Sequence, residues 1–372
     1  MERYYDFSNF RSMDSQSRRS LLLILLFITL LFTPALLSGQ GFGGGGNSRI
    51  DGKYKFVPIP YLNYDRSMGF SLGAVPMLMF NPSEKDTISP SSLIGALGVW
   101  TTNKTWFVMG FGMFYLDEDN WRITTGGGLG TVNFQFYLDN PIGGWIPYQS
   151  EADFFMLKVE RRLYKKLYGG VSYIFADVIT SSETTALSDS LTLHGIGLNL
   201  SMDTRSNPYY PRSGYYTTVK YNTFPEFLGN ETATKKIEID HNHYFPARQE
   251  KDVVAARLYA GLGLGDLAFN QQFIVKDTDI RAYTQGAFRG NYLLALQGEY
   301  RWNFHHRWGA VGFAGVATVF EAINESDNGK LLPGIGTGIR FKAFTETNMS
   351  VGIDVAAGID DWGIYFQIGE AF

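Results

Sequence analysis

The 372-residue sequence contains no cysteine. It therefore forms no disulfide framework and no thiolate metal site, and a lipid-modified N-terminal cysteine is excluded as well. Charge is also scarce, because charged residues make up 18% of the chain against about 25% in soluble domains. The 32 basic and 36 acidic residues nearly balance, and a nucleic-acid footprint would need a basic patch. We therefore expect no nucleic-acid partner.

Recognisable catalytic and metal-binding motifs are absent too. The sequence has no G-x-S-x-G elbow, no H-E-x-x-H helix and no P-loop. His241 and His243 share one strand face, but a metal site needs convergent ligands and nothing supplies a third. The sequence thus predicts no catalytic residue, no metal site, no cofactor and no enzymatic activity.

The first forty residues resemble an export signal. Residues 21–37 are an apolar block that follows Arg18 and Arg19 and precedes the small residues Ser38 and Gly39. This pattern predicts a signal peptide over 1–39, starting at Met1 or Met13. A membrane-anchor helix is the alternative, although the block is short for one and Pro34 interrupts it. We expect a flexible glycine-rich lead-in at 40–52 and one folded domain at 53–372.

Abundant aromatic residues, 16% of the chain, and 42 glycines are spread over that domain. No later apolar run reaches the roughly 20 residues of a membrane helix, but period-two alternation recurs. Mostly apolar residues alternate with Lys158 and Glu160 in 155–163, with Glu299 and Arg301 in 292–302, and with Asp354 in 349–355. An apolar exterior and a polar interior are typical of a transmembrane β-barrel. A soluble sandwich alternates as well, but its strands are usually shorter.

Sixteen strands are predicted, an even number that places both ends on the periplasmic side. Odd-numbered connections should then be long and external, and even-numbered ones short, with 81–91 as a long exception. The tryptophans at strand ends fit interface girdles. The predicted strands are 54–65, 67–80, 91–102, 104–117, 119–139, 151–164, 167–180, 190–204, 214–224, 234–246, 252–265, 290–304, 307–321, 333–344, 347–358 and 361–372.

Three stretches resemble the bacterial surface-antigen superfamily of BamA/TamA-type outer-membrane barrels. DTRSNPYYPRSG at 203–214 resembles its strand-turn-strand signature, through Asp203, Arg205, Pro211 and Gly214. The stretch 280–302 resembles the sixth external loop, whose Arg-Gly-aromatic tip folds back into the lumen. The third stretch, 333–372, resembles the last three strands and ends on Phe372, which the resemblance assigns to C-terminal targeting.

The resemblance implies a lumen loop in which Arg281 and Tyr283 form the tip. A desolvated Arg281 should pair with a carboxylate, and Glu299 or Asp354 can supply it; an exposed, merely solvated Arg281 is the alternative. Asp203 and Arg205 should pair with each other or with neighbouring strands. Ala282 stands where the family has glycine, strand thirteen lacks the family's acidic residue, and Glu370 replaces an apolar residue. A tip with positive φ would therefore be strained.

By resemblance we expect a bacterial outer-membrane protein that takes part in outer-membrane biogenesis, inserting or translocating proteins or lipids. The alternative is a channel or surface receptor that retains only the barrel. Family members that assemble proteins carry periplasmic POTRA domains before the barrel, and residues 40–52 leave no room for one. The expected partners are outer-membrane lipid and a separate periplasmic POTRA-like protein or chaperone.

Overall fold

A computed structural model describes residues 50, 52–65, 68–138, 143–182, 187–207, 210–268, 271–344 and 349–372. The predicted signal peptide and most of the lead-in lie outside these residues. No helix in the described part of the chain is long and apolar enough to cross a membrane.

The described chain forms sixteen long β-strands, which confirms the predicted number. The short strand Phe273–Ile274 pairs with the beginning of the twelfth long strand. The long strands are Tyr54–Asp65 (β1), Gly69–Phe80 (β2), Ser92–Thr101 (β3), Trp106–Leu116 (β4), Trp121–Leu138 (β5), Gly144–Tyr164 (β6), Leu167–Ser182 (β7), Leu187–Asp203 (β8), Gly214–Phe224 (β9), Thr234–Ala247 (β10), Asp252–Leu264 (β11), Arg289–Asn303 (β12), Trp308–Ala322 (β13), Leu332–Phe344 (β14), Met349–Ala357 (β15) and Trp362–Ile368 (β16).

The strands form an antiparallel meander that bends into a nearly closed barrel. Each strand pairs with the next along the chain, from β1–β2 to β15–β16. Some Cα atoms of β1 and β16 approach within 8 Å. Among the described residues, however, no ladder of hydrogen bonds joins these two strands. We call this junction the seam.

Two strand boundaries differ from the prediction by more than three residues. β6 begins at Gly144 rather than at 151, because Ile146, Tyr148 and Ser150 all turn inward and continue the alternation. β16 ends at Ile368 rather than at Phe372, and the chain then turns away from the sheet.

The outer face of the barrel is apolar and aromatic, as predicted. All seven tryptophans are 38–56% exposed, and each lies at or next to the end of its strand. This is the position of an aromatic girdle at the two membrane interfaces. The girdle residues are Trp100, Trp106, Trp121, Trp145, Trp302, Trp308 and Trp362.

The inner face does not match the prediction throughout. It is polar along β10 and β15, but along β1–β4 it carries apolar residues such as Val75, Leu97 and Met109, each at most 2% exposed. The expected polar interior is therefore wrong for this wall. Alternation in the sequence identifies which residues share a face of a strand. Because β1–β4 are apolar on both faces, their sequence pattern resembles that of strands buried on both sides.

The long connection 81–91 is ordered by one carboxylate. Asp86 Oδ1 accepts the backbone N–H groups of Ile88 at 3.0 Å and Ser89 at 2.9 Å. Its Oδ2 accepts Ser89 Oγ at 2.6 Å and the backbone N–H of Glu118 at 2.9 Å. Asp86 thus fastens the 81–91 connection to the next turn at the same rim of the barrel.

Candidate functional site

Residues 275–288, which we call the lumen loop, enter the barrel between the short strand and β12. Ile280, Arg281 and Ala282 are each at most 1% exposed, and Tyr283 is 5% exposed. The Thr278 carbonyl accepts hydrogen bonds from Arg257 and Gln297 on the barrel wall. A segment with so many wall contacts is part of the barrel interior, not a cover over its mouth.

Arg281 lies between two carboxylates. Its Nη2 is 2.7 Å from Glu299 Oε2 on β12, and its Nη1 is 2.7 Å from Asp354 Oδ2 on β15. All three side chains are fully buried. Its guanidinium carbon also lies 3.3 Å from the centre of the Phe313 ring. Phe313 is on β13, so an aromatic ring faces the guanidinium from that strand, and β12 and β15 provide the acids.

Two further arginines extend this pair into a network. Arg340 on β14 pairs with Asp354, its Nη2 lying 3.0 Å from Asp354 Oδ2. Arg301 on β12 donates from Nε to Glu299 Oε1 at 2.8 Å. Glu370 Oε2 lies 3.3 Å from Arg340 Nε and 3.7 Å from Arg301 Nε. Three arginines thus face three side-chain carboxylates in one buried cluster.

A glycine makes room for this network. A Cβ atom on Gly338 would lie 1.9 Å from Asp354 Oδ1 and 2.7 Å from the Ile353 carbonyl oxygen. The Asp354 carboxylate therefore occupies space that any side chain on β14 would take at this point. The glycines at alternate inner positions of β14 are part of the site although they carry no chemistry themselves.

The loop tip is strained at Ala282, as expected. Its φ is 141°, in a region that residues with a Cβ rarely adopt. Its N–H donates to Tyr365 Oη at 2.9 Å. Next to it, Tyr283 Oη donates to the Pro333 carbonyl at 2.7 Å. Contacts with β14 and β16 thus hold the tip in a conformation that the alanine disfavours.

The 203–214 motif spans the end of β8 and the start of β9, and the structure describes its residues 203–207 and 210–214. Arg205 donates to Asp203 through Nε at 3.0 Å and Nη2 at 2.8 Å, and its guanidinium stacks on Tyr216 at 4.3 Å. Pro211 is buried. Gly214 has φ 91°, and a Cβ there would meet the Thr204 carbonyl oxygen at 2.2 Å. Asp203 and Arg205 therefore pair with each other at this connection, which is the first of the two arrangements expected.

Phe372 does not lie on the last strand. It is 2% exposed and packs against Tyr244, Val253 and Ala255 on the inner face of β10 and β11. Its main-chain oxygen accepts a hydrogen bond from Arg301 Nη2 at 2.5 Å. The expectation of a final strand through 361–372 is therefore wrong. The reason is Glu370, whose carboxylate meets Arg340 and Arg301 inside the barrel and draws residues 369–372, the C-terminal tail, inward.

Sequence reasoning missed several members of the network. Arg301 was on the predicted inner face of β12, and Arg340 alternates with inward-facing glycines, so strand parity could have identified both. Parity gives no sign, however, that β12, β14 and the tail meet in space. Glu370 was noticeable only as a charge where an apolar residue was expected.

Comparison with known proteins bears on this geometry. Residues 99–372 match the model of the Omp85 superfamily domain. No curated protein matches the sequence.

Similar barrels occur among solved structures. BamA from Haemophilus ducreyi lacking POTRA domains 1–3 superposes with a TM-score of 0.60 and 11% identity, over 86% of this chain and 70% of that one. CdiB from Escherichia coli gives a TM-score of 0.58 and 12% identity, over 87% and 68%. CdiB from Acinetobacter baumannii gives 0.57 and 10%, over 86% and 60%. At such identities these likenesses describe the fold alone.

Proposed function

Because this chain belongs to the Omp85 superfamily and is a protein of the bacterial outer membrane, we propose that it acts in outer-membrane biogenesis. It helps proteins or lipids to enter or cross the membrane and does so without catalytic residues. Outer-membrane lipid surrounds the barrel, and the protein acts on this lipid.

The seam between β1 and β16 is the observation that carries this proposal. Every other pair of neighbouring long strands forms a ladder, but none joins β1 and β16 among the described residues. Unpaired backbone groups are costly in hydrocarbon. A junction that lacks these bonds opens at little further cost, and the unpaired edge can accept a strand of an entering protein or perturb nearby lipid.

The alternative, an aqueous channel, has less support. The lumen loop fills part of the interior, and the inner face of β1–β4 is apolar and buried. Conducting barrels have polar, water-filled interiors. We therefore expect the purified barrel to give no steady ion conductance in planar bilayers, and a stable conductance would favour the channel.

Locking the seam tests the proposal directly. Because the chain has no cysteine, a pair of cysteines introduced at facing positions of β1 and β16 can form a single disulfide. In proteoliposomes, the oxidised protein should lose its ability to speed insertion of an unfolded barrel protein, and a reductant should restore it. The matched control places cysteines at Val57 and Met77, which already face each other on β1 and β2. Full activity with a locked seam would contradict the proposal.

A periplasmic partner forms part of the proposal. The solved Haemophilus ducreyi structure is of BamA lacking POTRA domains 1–3, and we propose that a separate POTRA-like protein or a chaperone delivers cargo to this barrel. Crosslinking in intact cells, followed by purification of the barrel, should recover one periplasmic protein in a fixed ratio. Recovery of outer-membrane proteins alone would count against a dedicated partner.

A further inference from the structure

A cavity of about 250 Å³ lies inside the barrel beside the lumen loop. Part of its lining is apolar and includes Phe154, Met156, Ile174 and Phe224. The lining also contains six cationic and four acidic side chains. The cavity is therefore amphipathic, with an excess of positive charge.

Half of the cations in this lining are already neutralised by acids. Lys158 Nζ lies 2.7 Å from Glu160, and Arg257 Nη2 lies 3.0 Å from Asp240. The third paired cation is Arg122, which binds Asp119 through two nitrogens at 2.8 Å.

Three lysines have no such partner. Lys220, Lys236 and Lys276 have no carboxylate within 4 Å among the described residues. Glu238 lies among them and offsets one of the three positive charges, and its carboxylate also accepts a hydrogen bond from Tyr259 Oη at 3.2 Å. The excess positive charge of the cavity is therefore concentrated at these lysines.

Lys236 is the most informative of the three. It is 4% exposed and lines the cavity, and its Nζ lies 4.1 Å from the centre of the Phe273 ring. An ammonium buried without a carboxylate in direct contact costs free energy. A carboxylate that entered the cavity would remove this cost by a charge-assisted hydrogen bond.

We propose that this cavity binds a single-chain anionic amphiphile, namely a medium-chain fatty-acid carboxylate. The carboxylate lies among Lys220, Lys236 and Lys276, and the alkyl chain lies along Phe154, Met156 and Phe224. The cavity is somewhat smaller than the roughly 300–1,000 Å³ typical of drug-sized ligand sites, which suits one short chain and excludes a two-chain lipid.

The ligand also touches the lumen loop. Lys276 belongs to that loop, and the Thr278 carbonyl two residues later accepts hydrogen bonds from Arg257 and Gln297. Asp279 Oδ1 lies 3.2 Å from Arg257 Nη1. A bound carboxylate therefore contacts the start of the segment that carries Arg281.

Equilibrium dialysis of radiolabelled decanoate tests the site. The folded protein is held in phosphatidylcholine nanodiscs, and binding to empty nanodiscs is subtracted. We expect one saturable site per barrel. Lys236→Gln should weaken it about tenfold or more, as expected when a hydrogen bond to a charged group is lost. The matched control is Lys235→Gln, because Lys235 is exposed on the opposite face of the same strand; it should leave binding unchanged.

Further binding measurements test whether the site requires a negative charge and an alkyl chain. Decanol, which lacks the charge, should bind about tenfold more weakly than decanoate, and inorganic phosphate should not displace decanoate. If Lys236→Gln does not fold, judged by heat-modifiable mobility, Lys220→Gln takes its place with the same expectation. The proposal is overturned if no saturable binding exceeds that of empty nanodiscs, if Gln variants that fold bind normally, if decanol binds equally well, or if phosphate displaces decanoate.

Discussion

Arg281 carries a charge to a position with no access to solvent. Such a group is stable only when its partners replace the lost water, and here Glu299 and Asp354 both lie 2.7 Å away. A buried pair of this kind contributes modestly as a whole, but removing one member leaves the other charge stranded.

Arg281→Ala should therefore destabilise the barrel by about 3–5 kcal/mol. The double change Arg281→Ala, Glu299→Gln should cost clearly less than the sum of the single changes, because the neutral amide no longer needs a partner. Unfolding of all three variants in lipid, followed by heat-modifiable mobility, measures this. Arg307→Ala is the control, since Arg307 is exposed, and it should change stability by about 0.5 kcal/mol or less. Additivity within about 0.5 kcal/mol would mean that the two residues do not interact.

Ala282 is the opposite case, because replacing this residue should stabilise the folded barrel. At φ 141° its Cβ is strained, and glycine adopts this region freely. Ala282→Gly should raise stability by roughly 0.5–1 kcal/mol, after the entropy cost of glycine. Ala287→Gly in the same loop is the control and should lower it, because Ala287 has no positive φ. Equal losses in both variants would show that the tip is not strained.

Among the structural elements, the C-terminal tail departs most from expectation. It leaves the sheet after Ile368, and Glu370 and Phe372 lie inside the barrel. This shortens β16, which ends at Ile368.

Spin labels should report this arrangement, since the cysteine-free chain accepts one label at a time. A label at Ala371→Cys should be shielded from lipid-soluble oxygen, because Ala371 packs against the cluster around Phe372. A label at Phe366→Cys, on the outer face of β16, should be readily accessible. Equal accessibility would place the tail back on the lipid-facing strand.

The 81–91 connection makes stability depend on pH. Partial burial raises the pKa of Asp86, but the hydrogen bonds from Ser89, Glu118 and Ile88 outweigh it and lower the pKa from 3.8 to about 2. A carboxyl group whose pKa is lower in the folded state than in the unfolded state stabilises the folded protein at pH values above its unfolded pKa. This contribution is lost as the pH falls through the folded-state pKa.

We expect Asp86 to contribute about 1 kcal/mol, after allowance for solvent screening. This contribution should be complete above about pH 4 and lost as the pH approaches 2. The midpoint of heat-induced unfolding, measured across this range, should fall less steeply for Asp86→Asn than for the unchanged protein. Glu84→Gln, at an exposed position of the same connection, should keep the full slope. A parallel pH dependence in Asp86→Asn would assign the effect to other carboxyl groups.

At the scale of the whole molecule, the Arg281 network joins distant parts of the chain. The lumen loop, β12, β14, β15 and the C-terminal tail meet in one buried cluster. The barrel wall and its contents should therefore unfold together.

The mature protein should fractionate with the outer membrane and migrate faster on gels before heating than after it. The folded barrel should resist detergent at room temperature, because its backbone hydrogen bonds are satisfied within the sheet. A protein found in the soluble periplasmic fraction, with no mobility shift, would rule out this reading. The predicted signal peptide at 1–39 is tested by the mass of the mature chain.

The sequence by itself determined the strands, their number and which residues share a face. These properties are local, because side chains two apart along a strand point the same way whatever surrounds them. The outward tryptophans and the inward Glu299, Arg301 and Asp354 follow from this rule alone. The pairing of Arg281 with acids was also within reach, since a buried guanidinium has few other solutions.

Only the tertiary structure decided what those faces meet. Whether the interior of β1–β4 is wet or dry depends on which groups cover it across the barrel, and no pattern within a strand records that. The inward turn at Gly369 likewise depends on Glu370 meeting Arg301 and Arg340, which lie 69 and 30 residues away in the chain. Closure of the barrel brings these charges together, so their burial is a property of the whole molecule.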